Sequence, residues 1–199
     1  FARTAGGFPI VTLEEELRFI AGLNRTTGRS VGIYPEIKEP AWHREQGIEL
    51  GDRLLEVLAA AGAAFPPASV FVQCFDPAEL ARLHAAGCRL PLVQLIEADA
   101  GVPRASQLAA CARHAAAVGV DLRLLLGDGG RVGAEFVAAA RSVGLAVHAW
   151  TVRSDELPAG YPDLDSLLAT LVDALAVDAV FTDFPDLVVA YRGRPPAGR

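Results

Sequence analysis

Hydrophobic and polar positions along the chain alternate between two spacings. Leu13, Leu17, Ile20 and Leu23 recur at helical spacing, and Thr12-Leu13-Glu14-Glu15 has the form of a capping box opening that helix. Gly28 closes it, and 31–38 reads as a strand. Leu50, Leu54 and Leu58 mark a helix over 50–62, ended by Gly62 and Pro66-Pro67. The apolar run 69–75 is a strand, after which Asp76-Pro77 starts a helix that stops at Gly87. Further strands are predicted over 92–96, 121–126, 145–152 and 179–182, with helices over 106–118, 133–143, 164–175 and 185–192.

Six strands, each followed by a helix, give an α/β chain. The strands are near-continuous apolar runs, which suits burial on both faces and therefore a parallel sheet. A doubly wound sheet and part of a (β/α)8 barrel both satisfy this pattern. There is no G-x-G-x-x-G and no P-loop, and Gly127-Asp128-Gly129-Gly130 reads as a turn. No internal repeat or second domain is evident. The chain reads as one domain over 1–199, with 193–199 a flexible Pro/Gly/Arg-rich tail.

Composition narrows the classes. With 199 residues, 52% hydrophobic and 21% charged, the chain can bury one core and is too apolar to be disordered. A net charge of −6 argues against nucleic acid or an anionic membrane as partner. No apolar run approaches the ~18 residues of a membrane span. The chain opens on Phe1 and lacks Met, so an incomplete reading frame is expected, with any targeting segment upstream. The three cysteines are odd in number and have no C-x-x-C spacing, which excludes a disulfide framework and a zinc ribbon. Cys74 and Cys111 read as small buried hydrophobes. Lys38 is the single Lys beside 17 Arg. A compact ammonium is something Arg cannot replace, although chance survival of one Lys explains the count equally well.

In a parallel α/β fold, chemistry gathers at the carboxyl ends of strands. Tyr34, Glu36 and Lys38 share one face of the first strand by period 2. A buried Glu–Lys pair is the plain structural alternative there. Gln73 and Asp76 end the second strand, Gln94 lies in the third, His148 and Trp150 in the fifth, and Asp183 ends the sixth. Asp76 and Asp183 also suit helix N-caps, and the two glutamines suit core hydrogen bonds. Polar residues on five strands define a site. His84 and His114 fall on helices as solvated or half-buried side chains. His43 is placed in a polar loop that rims the pocket, and His148 on the face of Trp150. No Ser–His–Asp order or metal-type His spacing occurs.

The segments Thr12-Leu13-Glu14-Glu15-Glu16-Leu17, Gly32-Ile33-Tyr34-Pro35-Glu36-Ile37-Lys38, Val72-Gln73-Cys74-Phe75-Asp76, Leu92-Val93-Gln94-Leu95-Ile96, Trp150-Thr151-Val152-Arg153-Ser154-Asp155 and Phe181-Thr182-Asp183-Phe184-Pro185-Asp186 carry a resemblance. In order and spacing they resemble the glycerophosphodiester phosphodiesterase family of the bacterial periplasmic type. The resemblance implies a TIM (β/α)8 barrel, with roughly strands 3–8 in this chain. It implies metal-dependent hydrolysis of glycerophosphodiesters, small-molecule substrates, to sn-glycerol 3-phosphate and an alcohol, in glycerophospholipid catabolism. It implies a divalent cation (calcium or magnesium) and a periplasmic or secreted location. Glu36 resembles a carboxylate ligand of that cation, and Lys38 the amine that meets the substrate phosphate. Trp150 resembles the aromatic residue lining the glycerol side, and Gln73 and Phe75 resemble cavity-lining residues.

The family's H-R-G, E-x-D and H-D motifs are absent, because the sequence starts just after that region. The acid/base role therefore passes to neither His43 nor His148. The stretch 97–135 departs from the family pattern. A catalytically silent barrel that keeps the pocket is the alternative from another class. A different metal-dependent barrel hydrolase leaves Thr182-Asp183-Phe184-Pro185 unexplained. Six strands cannot close an eight-stranded barrel, so these residues alone are expected to be poorly soluble or inactive.

Overall fold

Thr12 opens the first helix as its sequence predicts. In the computed structural model, which describes residues 10–193, Glu15 N–H donates to Thr12 Oγ1 at 3.3 Å and Thr12 N–H donates to Glu15 Oε2 at 2.9 Å. This capping box starts α1 (Leu13–Thr27), and Gly28, at φ 66°, closes it in the left-handed conformation that glycine adopts without strain. Leu17 and Ala21 form its buried stripe, while Leu23 is exposed.

Six parallel strands follow in sheet order β1 to β6: β1 (Glu36–Ile37), β2 (Val72–Cys74), β3 (Leu92–Ile96), β4 (Ala117–Asp121), β5 (Ala146–Val152) and β6 (Ala179–Thr182). Between them lie α2 (Pro40–Glu45), α3 (Leu50–Ala61), α4 (Pro77–Ala85), α5 (Ala105–Cys111), α6 (Leu122–Leu126), α7 (Arg131–Ser142) and α8 (Leu164–Leu168), and α9 (Pro185–Arg192) comes last. The α8 helix runs on into a π-helical stretch, Ala169–Ala174.

The sheet curls. Tyr34, just before β1, packs edge to face on Phe181 of β6, with ring centroids 4.8 Å apart. The first and last strands thus face each other across an interior rather than lying at opposite ends of an open sheet. Outward side chains of β4 and β5, including Val118, Val120, Val147 and Ala149, join Leu125, Phe136 and Leu171 in the main core. A second core sets Ile37, Val72, Cys74 and Leu92 against Leu54, Leu80 and Leu83. Sheet and helix layer are therefore joined by an apolar seam, as parallel sheets require.

Four expectations change. The predicted strand over 121–126 is helix α6, and the strand lies earlier, at Ala117–Asp121. Asp121 Oδ1 accepts the backbone N–H of Arg123 at 2.8 Å, and that cap turns a Leu-rich run into a helix. Helix 106–118 stops at Cys111, because Ala116 N–H already donates to Leu92 O. The strand over 31–38 shrinks to two residues plus an isolated bridge from Ile33 to Val70, with Pro35 between them supplying no donor. Residues 42–45, read as a polar loop, belong to α2, which has Pro40 at its first position. The tail assigned to 193–199 lies outside the described residues beyond Gly193. No helix among the described residues is long and apolar enough to cross a membrane.

Candidate active site

Glu36 and Lys38 sit at the carboxyl end of β1, on one face by alternation. Lys38 Nζ lies 3.5 Å from Glu36 Oε1, with the lysine side chain 77% exposed and the glutamate 21%. A pair so open to water contributes little stability. The buried-pair alternative therefore fails, and the ammonium is free to meet an anion.

Strand register puts Glu36 beside Gln73. Gln73 is buried, and its Oε1 has no hydrogen-bond partner. Two residues on, Phe75 meets Trp150 edge to face at 5.9 Å between centroids. Trp150 Nε1 is also buried without a partner. A Cβ at Gly119 would come within 2.6 Å of Leu95 Cδ2 and 3.7 Å of Trp150 Cδ1, so a larger residue here would have to displace the Leu95 side chain beside the site. Buried, unpartnered polar atoms are costly. An acceptor at Gln73 and a donor at Trp150 on one concave surface suit a ligand that bears hydroxyl groups.

One rung deeper lies an aromatic floor. Tyr34 stacks on Phe71 at 5.0 Å, meets Phe181 edge to face, and shares a 2.7 Å hydrogen bond with His148 Nδ1. Burial holds His148 neutral by lowering its pKa, with Asp178 acting weakly the other way, and burial pushes the Tyr34 phenol far above its usual range. A neutral imidazole accepts the phenol proton at Nδ1 and keeps its own at Nε2. Tyr34, Phe71, His148 and Phe181 each precede by two residues a position at the site: Glu36, Gln73, Trp150 and Asp183. With period 2, every floor residue points the same way as its site neighbour.

The rim carries further charge. Asp121 ends β4, level with Trp150 in the register. Burial alone would raise its pKa, but hydrogen bonds from the side chain and backbone of Arg123 hold it below the usual carboxylate range. Arg153 pairs with Asp183 across β5 and β6, and also with Asp155.

The five residues singled out from the sequence, Glu36, Lys38, Gln73, Phe75 and Trp150, thus lie along one surface. Other expectations part from it. Gln94 shares the outward side of β3 with Leu92, and its amide donates to Phe75 O at 2.8 Å and Leu95 O at 3.1 Å. Asp76 does cap α4, accepting from Ala78 N–H. Asp183 caps nothing, since the residue before α9 is Phe184 and makes no side-chain cap. His43 lies on α2 against Trp42, and His148 belongs to the floor. The floor's Phe71 and Phe181, and Asp121 at the rim, escaped the sequence reading. Alternation from Gln73 and Asp183 would have pointed to the two phenylalanines, whereas Asp121 was hidden by the misplaced fourth strand.

Of the residues that the resemblance carries over, Glu36 is the one carboxylate for the implied cation. Among the described residues, no three His, Cys, Asp or Glu side chains come together as a metal site. The described residues do not make a metal centre by themselves.

Comparison with known proteins accords with this geometry. The Glycerophosphoryl diester phosphodiesterase family matches residues 3–187. The chain is 33% identical over 220 residues to a glycerophosphodiester phosphodiesterase of Treponema pallidum (strain Nichols), covering 95% of this chain and 61% of that protein. It is 32% identical over 213 residues to one from Haemophilus influenzae, covering 92% and 58%. The chain therefore spans about three fifths of the length of these curated relatives. An Oleispira antarctica phosphodiesterase, solved with the product sn-glycerol-3-phosphate, shares the fold with a TM-score of 0.65 at 19% identity, over 92% of this chain and 61% of that one. Over residues 3–187, nearly its whole length, the chain belongs to the glycerophosphoryl diester phosphodiesterase family.

Proposed function

We propose that the protein hydrolyses glycerophosphodiesters to sn-glycerol 3-phosphate and an alcohol, and that β1–β6 are strands 3–8 of a (β/α)8 barrel. The observation that carries this reading is the surface on which an exposed Lys38–Glu36 pair stands beside Gln73 and the Phe75–Trp150 corner. The names of the two relatives and the product held by the Oleispira antarctica structure support it.

The roles follow from the chemistry of each group. Lys38 offers a mobile point charge to the phosphoryl oxygens, where negative charge is concentrated. Trp150 and Phe75 pack on the carbon skeleton of the glycerol, while Gln73 Oε1 accepts from a hydroxyl and Trp150 Nε1 donates to an oxygen. The aromatic floor keeps water from beneath. Hydrolysis adds water to phosphorus and breaks the P–O bond to the alcohol, whose oxygen takes up a proton. The same proposal includes a calcium or magnesium ion with Glu36 as one of its oxygen ligands. When bound, such an ion acts as a Lewis acid on the phosphoryl group. A periplasmic or secreted location belongs to the proposal too, and cell fractionation tests it.

The test is release of sn-glycerol 3-phosphate from glycerophosphocholine by the full-length protein, with and without chelator. Turnover that chelator abolishes and Glu36→Gln cripples is the expected result. Full activity of Glu36→Gln in saturating chelator overturns the metal role. The lack of a three-ligand cluster among the described residues favours a second reading, a silent barrel that binds without turning over. Binding of sn-glycerol 3-phosphate with no hydrolysis of any diester identifies that case.

A further inference from the structure

Gln94 is the strand residue that the site does not absorb. It lies on the outward side of β3 and is 8% exposed, and its amide nitrogen is spent on strand carbonyls while its Oε1 has no partner. It lines a groove of about 800 Å³ that opens between α4 and α5. Ile96 belongs to the floor, Pro77 and Ala78 to one wall, and Leu108 and Ala110 to the other. The groove starts at Phe75, the same ring that forms the corner with Trp150. It ends near Arg113 and His114, whose Nε2 is likewise buried without a partner.

We infer that this groove is a subsite for the alcohol half of the substrate: an alcohol with a single alkyl chain and a hydrogen-bond donor near its head. The inference rests on the hydrolysis proposed above. Phe75 makes the groove continuous with the site, so a diester bound at Lys38 can extend one arm over that ring. The apolar walls take hydrocarbon, which gains about fourfold in affinity per buried methylene. The seven residues of α5 give a wall about 10 Å long, enough for a medium-length chain. Gln94 Oε1, an acceptor in an otherwise apolar floor, calls for a donor on the chain.

The experiment compares glycerophosphodiesters of ethanol, decanol and 1,2-decanediol as substrates of the full-length protein. It also follows binding of decyl phosphate by equilibrium dialysis. The expected kcat/KM rises tenfold or more from the ethanol to the decanol ester and further for the diol. Ala110→Phe or Ala78→Phe, filling the groove from opposite walls, removes the chain effect and weakens decyl phosphate binding while leaving the ethanol ester unchanged. Gln94→Leu removes the preference for the diol alone. Equal kcat/KM for ethanol and decanol esters, with decyl phosphate binding untouched by both filling variants, overturns the subsite. If no ester is hydrolysed the catalytic reading fails, and decyl phosphate binding that both filling variants weaken then still supports the groove.

Discussion

Tyr34 Oη lies 2.7 Å from His148 Nδ1, a hydrogen bond that reaches across the interior from the approach to β1 to the middle of β5. It is the polar link in an otherwise apolar floor, and it holds two walls of the site in fixed relation. Tyr34→Phe keeps the ring and leaves the buried imidazole without its donor. That loss costs about 1–3 kcal/mol. Urea unfolding of both proteins measures it, and an unchanged midpoint would remove the link from the list of what holds the curled sheet together.

The same pair sets a pH dependence. Burial depresses the pKa of His148 from its ordinary 6.5, so the unfolded chain takes up a proton more readily than the folded one. Stability from this group is complete above about pH 6.5 and erodes as the pH falls below it. His114, lowered by burial and by His84 and Arg113, acts with the same sign. Urea midpoints at about pH 7.5 and pH 5.5 should show the loss on acidification. The loss should be smaller in His148→Gln, which cannot titrate.

Lys38 carries the charge best placed for a phosphoryl group. Lys38→Ala should cut kcat on glycerophosphocholine by about 100-fold, in the range found when one stabilising donor is removed. Lys38→Arg should recover little of this, because a planar fork does not reproduce a compact ammonium. Thermal stability should not change in either variant, given the 77% exposure of the side chain. Steady-state kinetics and a melting curve on the same samples separate the two effects.

Behind the site, Glu79 is 1% exposed and clamped by Arg44 at 2.6 Å and Arg82 at 2.8 Å. Its carboxylate joins α2 to α4. Glu79→Ala should destabilise the fold by about 3 kcal/mol, at the low end for a broken buried pair because both arginines reach water. Gly51→Ala attacks the same place from α3, since a Cβ there would stand 2.1 Å from Glu79 Oε1. Thermal melts of both variants check this, and neither should alter the specificity of what folded enzyme remains.

The three thiols should divide by reactivity. Burial pushes Cys74 and Cys111 up to about 11, while Cys88 is only half-buried. A thiol reagent at about pH 8 should therefore titrate one cysteine quickly in the native protein and all three in urea. Rapid loss of all three without denaturant would show that the seam between sheet and helices opens readily.

Much of this was legible along the chain, and the exceptions have two causes. Alternation within the first strand placed Glu36 and Lys38 together, strand position brought in Gln73 and Trp150, and the family resemblance added Phe75. Period 2 read from strand edges fails where an edge is misplaced. The run from Leu122 to Leu126 is apolar but for Arg123, so its pattern barely distinguishes strand from helix until Asp121 caps it. That shift hid Asp121 from the rim. Gln94 misled for another reason. Its polarity marks a strand residue that needs a partner, but the side it faces depends on pairing with β2, where Gln94 lies level with Cys74 rather than Gln73.

The two-rung interior separates durability from specificity. Floor and site alternate along the same strands, so the side chains that meet a substrate can be exchanged while the layer beneath stays whole. The reverse does not hold: a one-residue deletion between Phe71 and Gln73 would set the two on opposite faces and break the stacking of site on floor. Evolution of new substrate preferences in this scaffold is thus open to substitution in the upper rung and closed to changes of strand length. A directed-evolution library confined to positions 36, 73, 75 and 150 would sample new chemistry on an intact foundation.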